Sequence, residues 1–143
     1  NCCTGAPGYV WVSDREVGRL AKYLKLPRKD IIEKYCRTIG SRLSLKEIRS
    51  AHGLYDCIFL KETRSKGADG MPIVRRICSA YEARPLQCRT WPFWSGNLAS
   101  RENWDAAAQR CHGMNRKPRS FTREQIEALR DARDWPDNPP GST

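Results

Sequence analysis

YDCIFLKETRSKGADGMPIVRRICSAYE, residues 55–82, decides how the chain is read. Two short segments, YDCIFLKE and PIVRRICSAYE, flank the polar, glycine-containing stretch TRSKGADG at 63–70. Alternation bounded by turn signals marks a β-hairpin, so residues 55 to 78 read as a strand, a turn and a returning strand. Each strand carries one cysteine, Cys57 or Cys78, placed to face the other across the hairpin. The hairpin alone is too small to fold, so what surrounds it must supply a core or a cross-link.

Working outward, VSDREVGRLAKYL (12–24) opens with Ser13 and Glu16 as a capping box and Val12 and Val17 as a hydrophobic staple. Val17, Leu20, Ala21 and Leu24 then recur at helical spacing. LPRKDIIEKYCR (26–37) reads as a second helix with Pro27 in its first turn and Ile31, Ile32 and Tyr35 facing inward. LSLKEI (43–48) reads as a short strand. EARPLQCRTWPFW (82–94) reads as irregular, because Pro85 and Pro92 interrupt it. SRENWDAAAQRC (100–111) is a third helix capped by Ser100, with Trp104, Ala107, Ala108 and Cys111 on its inner face. FTREQIEALRDAR (121–133) is a fourth, with a box from Thr122 and Gln125 and a staple from Phe121 and Ile126. The expected fold is α+β: a small, irregular, metal-stapled domain with about four helices and a short β-hairpin. Residues 1–134 form one domain, and 135–143 form a flexible C-terminal tail.

Composition explains why a staple is expected. Only 39% of the 143 residues are hydrophobic and 29% are charged, so the core is small. The seven cysteines are an odd number, which excludes complete internal disulfide pairing. No apolar run reaches bilayer length and the start lacks a signal peptide, so no membrane partner is expected. A reducing compartment, cytoplasm or organellar matrix, is the expected location, and metal binding the expected use of the thiols. The formal net charge of +10 predicts a basic surface suited to nucleic acid or another anionic partner.

The cysteines divide into two kinds. Cys57, Cys78, Cys88 and Cys111 stand where regular structure starts, ends or breaks, which lets rigid elements aim sulfurs from several directions. The adjacent pair Cys2 and Cys3 joins poorly to itself, because neighbouring residues hold their Cα atoms too close for a relaxed disulfide. Cys36 lies within the second helix beside Tyr35 and reads as a small apolar residue. No C-x-x-C pair occurs, so an ordinary zinc finger or ribbon is excluded. Four thiolates suit zinc and an iron–sulfur cluster alike, and the nearby aromatics Trp91, Phe93 and Trp94 tilt the choice towards the cluster. His52 and His112 read as loop histidines.

NCCTGAPGYVWVSDREVGRLAKYL, YDCIFL, CSAYEARPLQCRTWPF and RCHGM together resemble the YkgJ-type cysteine-cluster family, named for a C-x-x-C-x-x-C-C start and regarded as zinc- or iron-chelating. The resemblance runs from residue 1 to about 114, and C-x-x-YExRPxxCRxxPF is its most specific part. By position it implies the metal ligands Cys2, Cys3, Cys57, Cys78, Cys88 and Cys111, with Cys36 outside the pattern. The two earlier cysteines of the family motif fall before Asn1, so six or eight thiolates remain alternatives. Glu82 and Arg84 are expected to orient the loop carrying Cys88.

Two functions follow as expectations. The first is a small protein holding zinc or an iron–sulfur cluster, serving as a structural or docking module of a larger, ribonucleoprotein-like assembly. Arg75, Arg76, Arg116, Lys117 and Arg119 would meet its phosphates. The alternative, implied by the resemblance, is a cluster-dependent enzyme related to the flagellin lysine N-methylases. No phosphate-binding loop, Ser/His/Asp set or paired carboxylates mark a catalytic site. Oligomeric state has no sequence signal.

Overall fold

The structure is a computed structural model that describes residues 3–111, 113–115 and 120–135. Strand β1 (Thr4–Gly5) and strand β2 (Trp11–Val12) lead into helix α1 (Asp14–Leu24). The capping box forms as the sequence dictates: the Ser13 side chain accepts from the Glu16 N–H and the Glu16 carboxylate accepts from the Ser13 N–H. Lys25 then adopts the left-handed conformation, with φ of 55°, and turns the chain into helix α2 (Arg28–Tyr35). Pro27 stands at the cap of α2 rather than inside its first turn.

Helix α2 ends at Tyr35, two residues before the end of the segment expected to be helical. Cys36 opens strand β3 (Cys36–Ile39), which pairs antiparallel with β4 (Arg42–Leu45), and β4 pairs in turn with β2. Cys36 is 4% exposed, so its apolar character stands although its element changes. Ile31 is buried, whereas Ile32 is exposed and Tyr35 half-buried; a helix this short presents one narrow stripe.

The expected strand LSLKEI is split, giving β5 (Glu47–Arg49) after β4. The expected strand YDCIFLKE is split as well, into β6 (Tyr55–Cys57) and β7 (Leu60–Lys66). A second small sheet has the order β1–β6–β5. The hairpin proper joins β7 to β8 (Pro72–Cys78), with Leu60 opposite Cys78 and Lys66 opposite Pro72. Its turn is therefore shorter than TRSKGADG: residues 63–66 belong to the strand, and Gly67 and Gly70 close the loop. Gly70 has φ of 77°, a conformation that favours glycine.

A 3-10 turn (Tyr81–Ala83) and helix α3 (Leu86–Thr90) occupy the stretch read as irregular. Pro85 ends one element and starts the next instead of abolishing both. Helix α4 (Ser95–Leu98), α5 (Arg101–Arg110) and α6 (Arg123–Asp131) follow, α5 and α6 with the predicted caps. Among the described residues, the four helices of eight or more residues are the four expected, and α3 and α4 are additional short ones. Val17, Leu20, Ile31, Cys36, Leu45 and Phe59 are among the residues of one core, where α1, α2, the β2–β4–β3 sheet and the hairpin base meet. Trp135, the first residue of the expected tail, stands edge-on to Trp94, with centroids 6.1 Å apart; residues 136–143 lie outside the described residues. Among the described residues no helix is long and apolar enough to cross a membrane.

Candidate metal centre

Cys3 and Cys57 stand side by side. Thr4 is opposite Asp56 across β1 and β6, and one step further the Cys57 N–H donates to the Cys3 carbonyl at 2.8 Å. Residues directly opposite in an antiparallel pair send their side chains to the same face. On the other side of β6, Cys57 is opposite Glu47, so Cys3, Cys57 and Glu47 form a row on one face of the sheet. The Glu47 carboxylate is engaged, accepting from the Gly8 N–H at 3.2 Å and from Arg37 Nη2 at 3.0 Å.

Asp56 secures this row from the opposite face. It accepts from Thr4 Oγ1 and from Arg76 Nη2, and the Thr4 hydrogen bond followed by the Arg76 contact holds its carboxyl below the usual carboxylate range. Cys57 ends β6 three residues before Leu60, the partner of Cys78. The Ser79 N–H and Oγ both donate to the Phe59 carbonyl, at 2.8 and 3.0 Å, and draw the two strand ends together. Cys57 and Cys78 do not face each other across the hairpin as expected: Leu60 is opposite Cys78 and Cys57 ends a strand of another sheet, so the two lie near the hairpin base and both pack against the core.

Cys88 lies within α3, and two buried polar side chains fix that helix. Glu16 is 6% exposed; one carboxylate oxygen completes the α1 capping box and the other accepts from the Leu86 N–H at 2.5 Å. Gln87 accepts from the Trp11 N–H at 2.8 Å and donates to the Tyr9 carbonyl at 3.1 Å. Gln87 also lines a cavity of about 310 Å³ together with Cys3 and Cys57, which ties the Cys88 helix to the wall holding those two thiols. Arg84 Nε donates to the Tyr81 carbonyl and Arg89 Nε to the Arg84 carbonyl, holding the turn that precedes Cys88 in shape. The Glu82 side chain is exposed. Sequence reasoning found Glu16 as a cap and missed its second role; Gln87 it missed altogether, because no local pattern announces a partner 76 residues away.

Cys111 is placed differently. It caps the C-terminus of α5, half-buried, and lines a separate, larger cavity walled by Trp91, Phe93 and Trp104. His52 is exposed. Cys2, His112, Arg116, Lys117 and Arg119 lie outside the described residues.

Residues 1–112 match the model of the CxxCxxCC family, described as a "Putative zinc- or iron-chelating domain". The chain belongs to this family. Among curated proteins the CxxCxxCC chain is similar to an uncharacterized protein of Methanocaldococcus jannaschii, 29% identical over 92 residues. That match takes in 64% of this chain and 40% of the relative, so the chain spans less than half the length of that protein. No solved structure matches.

The donor chemistry of this CxxCxxCC chain fits the family's metals, since half-buried cysteines supply the soft thiolates that zinc and iron take. The described residues alone stop short of a complete ligand sphere: among them, no three His, Cys, Asp or Glu side chains form a group able to hold a metal ion. Cys3 and Cys57 are neighbours across the β1–β6 pair, Cys78 ends the hairpin strand β8, and Cys88 lies on the helix held by Glu16 and Gln87.

Proposed function

We propose that the chain is a zinc- or iron–sulfur-cluster-binding protein whose thiolates staple the hairpin and α3 to the core, and that it docks on a larger anionic, ribonucleoprotein-like assembly. Cys2, Cys3, Cys57, Cys78, Cys88 and Cys111 are its proposed ligands. The observation that carries the metal reading is the side-by-side placement of Cys3 and Cys57, with Cys78 at the same hairpin base. Thiolate coordination would add a cross-link where three small sheets offer little buried area.

The docking reading rests on the β7–β8 hairpin. Residues 61–66 and 72–77 are exposed, and they include Lys61, Arg64, Lys66, Arg75 and Arg76. Arg64 is paired with Glu62 and Arg76 with Asp56, which leaves Lys61, Lys66 and Arg75 as the cations available to phosphates. An exposed two-stranded ribbon of this charge suits a nucleic-acid groove.

Anaerobic purification followed by metal analysis and an absorption spectrum tests the first part. Stoichiometric zinc with a featureless visible spectrum, or iron with sulfide and charge-transfer bands, is the expected outcome; protein free of both defeats the reading. RNA binding measured against salt tests the second. Affinity falling steeply with salt, and less steeply in Lys61→Gln/Lys66→Gln/Arg75→Gln, is expected; an unchanged slope removes the hairpin from the interface.

A further inference from the structure

The larger cavity is built like a small-molecule site. It encloses about 1110 Å³ between the segment around α3, the end of α5 and α6. Ligand pockets commonly run to about 1,000 Å³, with apolar and aromatic walls and a few polar groups that fix orientation. Here Trp91, Phe93, Trp104 and Phe121 supply the walls. Phe93 lies 6.0 Å from Trp104 at an interplanar angle of 26° and meets Phe121 edge-on at 4.8 Å, so the aromatic lining is continuous.

Two cations stand on this lining, and among the described residues neither forms an ion pair. Arg84 lies over the Tyr81 ring at 3.5 Å and donates through Nε to the Tyr81 carbonyl. Arg89 donates through Nε to the Arg84 carbonyl. Each bond uses only Nε, and the guanidinium fork keeps its terminal donors for a bidentate acceptor. Trp91 adds a neutral donor: its indole N–H is buried and has no hydrogen-bond partner among the described residues. A buried donor left unmet is costly, and a modest turn of the ring within the cavity would offer it to an acceptor.

We propose that this cavity binds a small organic anion, a carboxylate with a flat apolar body, whose charged end is held by Arg84 and Arg89 and whose ring stacks among Phe93, Trp104 and Phe121. Cys111, one of the proposed thiolate ligands, also lines this cavity, but the groups proposed to hold the anion are the two guanidinium ions and the aromatic rings.

The test is calorimetric titration of the purified full chain with three probes: 2-naphthoate, the neutral isostere 2-naphthamide, and acetate. Naphthoate is expected to bind at least about tenfold more tightly than naphthamide, and acetate not to saturate, because charge and ring are both required. Arg89→Gln is expected to weaken naphthoate about tenfold while leaving naphthamide unchanged, and Trp91→Phe to weaken both. Arg15→Gln, at an exposed position of α1 outside the cavity lining, reports attraction by net charge alone and is expected to change neither. Far-UV circular dichroism establishes that each variant is folded; should Trp91→Phe fail to fold, the exposed Arg89 and the three wild-type titrations decide alone. Equal affinity for naphthoate and naphthamide, no naphthoate binding in the millimolar range, or equal losses in Arg89→Gln and Arg15→Gln would each overturn the proposal.

Discussion

Cys36 and Cys88 show how much a cysteine's surroundings decide. Cys36 sits in the apolar core, where burial pushes its thiol up to about 11 against the opposing charge of Lys46. At neutral pH it is a thiol and an inert one. Cys88 lies half-buried on a helix held by Glu16 and Gln87. Cys36→Ser is expected to retain its metal and to cost about 1–3 kcal/mol for the buried hydroxyl. Cys88→Ser is expected to lose metal, because serine is a poor ligand for soft ions. Metal per protein after purification compares them, and equal losses would place a ligand at Cys36. The raised thiol also has a pH signature. An unfolded cysteine titrates near 8.5, so the native state holds its proton longer. The stability from Cys36 is therefore complete below about pH 8.5 and is lost as pH rises towards 11. Urea midpoints at pH 8 and pH 10 measure this, and Cys36→Ala should flatten part of the decline. Cys36's apolar role was legible in the sequence from its neighbours in the second helix. Its strand was not, because β3 exists only by pairing with β4, and pairing leaves no mark within YCRTI.

At the scale of elements, caps were the most legible feature, because a capping box is written within four residues. Ser13 with Glu16 and Thr122 with Gln125 both form as their spacing dictates. What the box did not disclose is that Glu16 also receives the Leu86 N–H, 70 residues on, and so splices the N-termini of α1 and α3. The prolines at 85 and 92 likewise suggested disorder of pattern between them, whereas Pro85 serves as a helix start. The two boxes should differ sharply in worth. Thr122→Ala frees one cap on an exposed helix and is expected to cost about 1 kcal/mol. Glu16→Ala strands donors at both helix starts in a buried place and is expected to cost about 2–4 kcal/mol, more than a cap alone. Denaturant midpoints of the two variants check the order, and equal costs would show that the Leu86 bond contributes nothing.

Across the described residues, three two- and three-stranded sheets surround one modest core, which leaves the hairpin base and α3 dependent on the side chains that bridge them. If thiolates provide that bridge, a chelator that strips the metal should lower the thermal midpoint by well over 10 °C, since structural zinc sites can contribute on the order of 10 kcal/mol. An unmoved midpoint after complete removal would make the metal a passenger. The hairpin itself has one further consequence. Its sheet contains only β7 and β8, so among the described residues each strand has an outer edge with no neighbour, and Ile73, Val74 and Ile77 are 37%, 52% and 48% exposed. Such an edge is a template on which another copy can add its own strand. Mutual repulsion of Lys61, Lys66 and Arg75 opposes that addition, and the repulsion reaches only as far as the ionic atmosphere allows. At about 1 M salt the screening length falls to roughly 3 Å. Light scattering is expected to record edge-to-edge self-assembly in concentrated brine and not in dilute buffer, so the charges proposed to meet an anionic partner would also act as a colloidal guard.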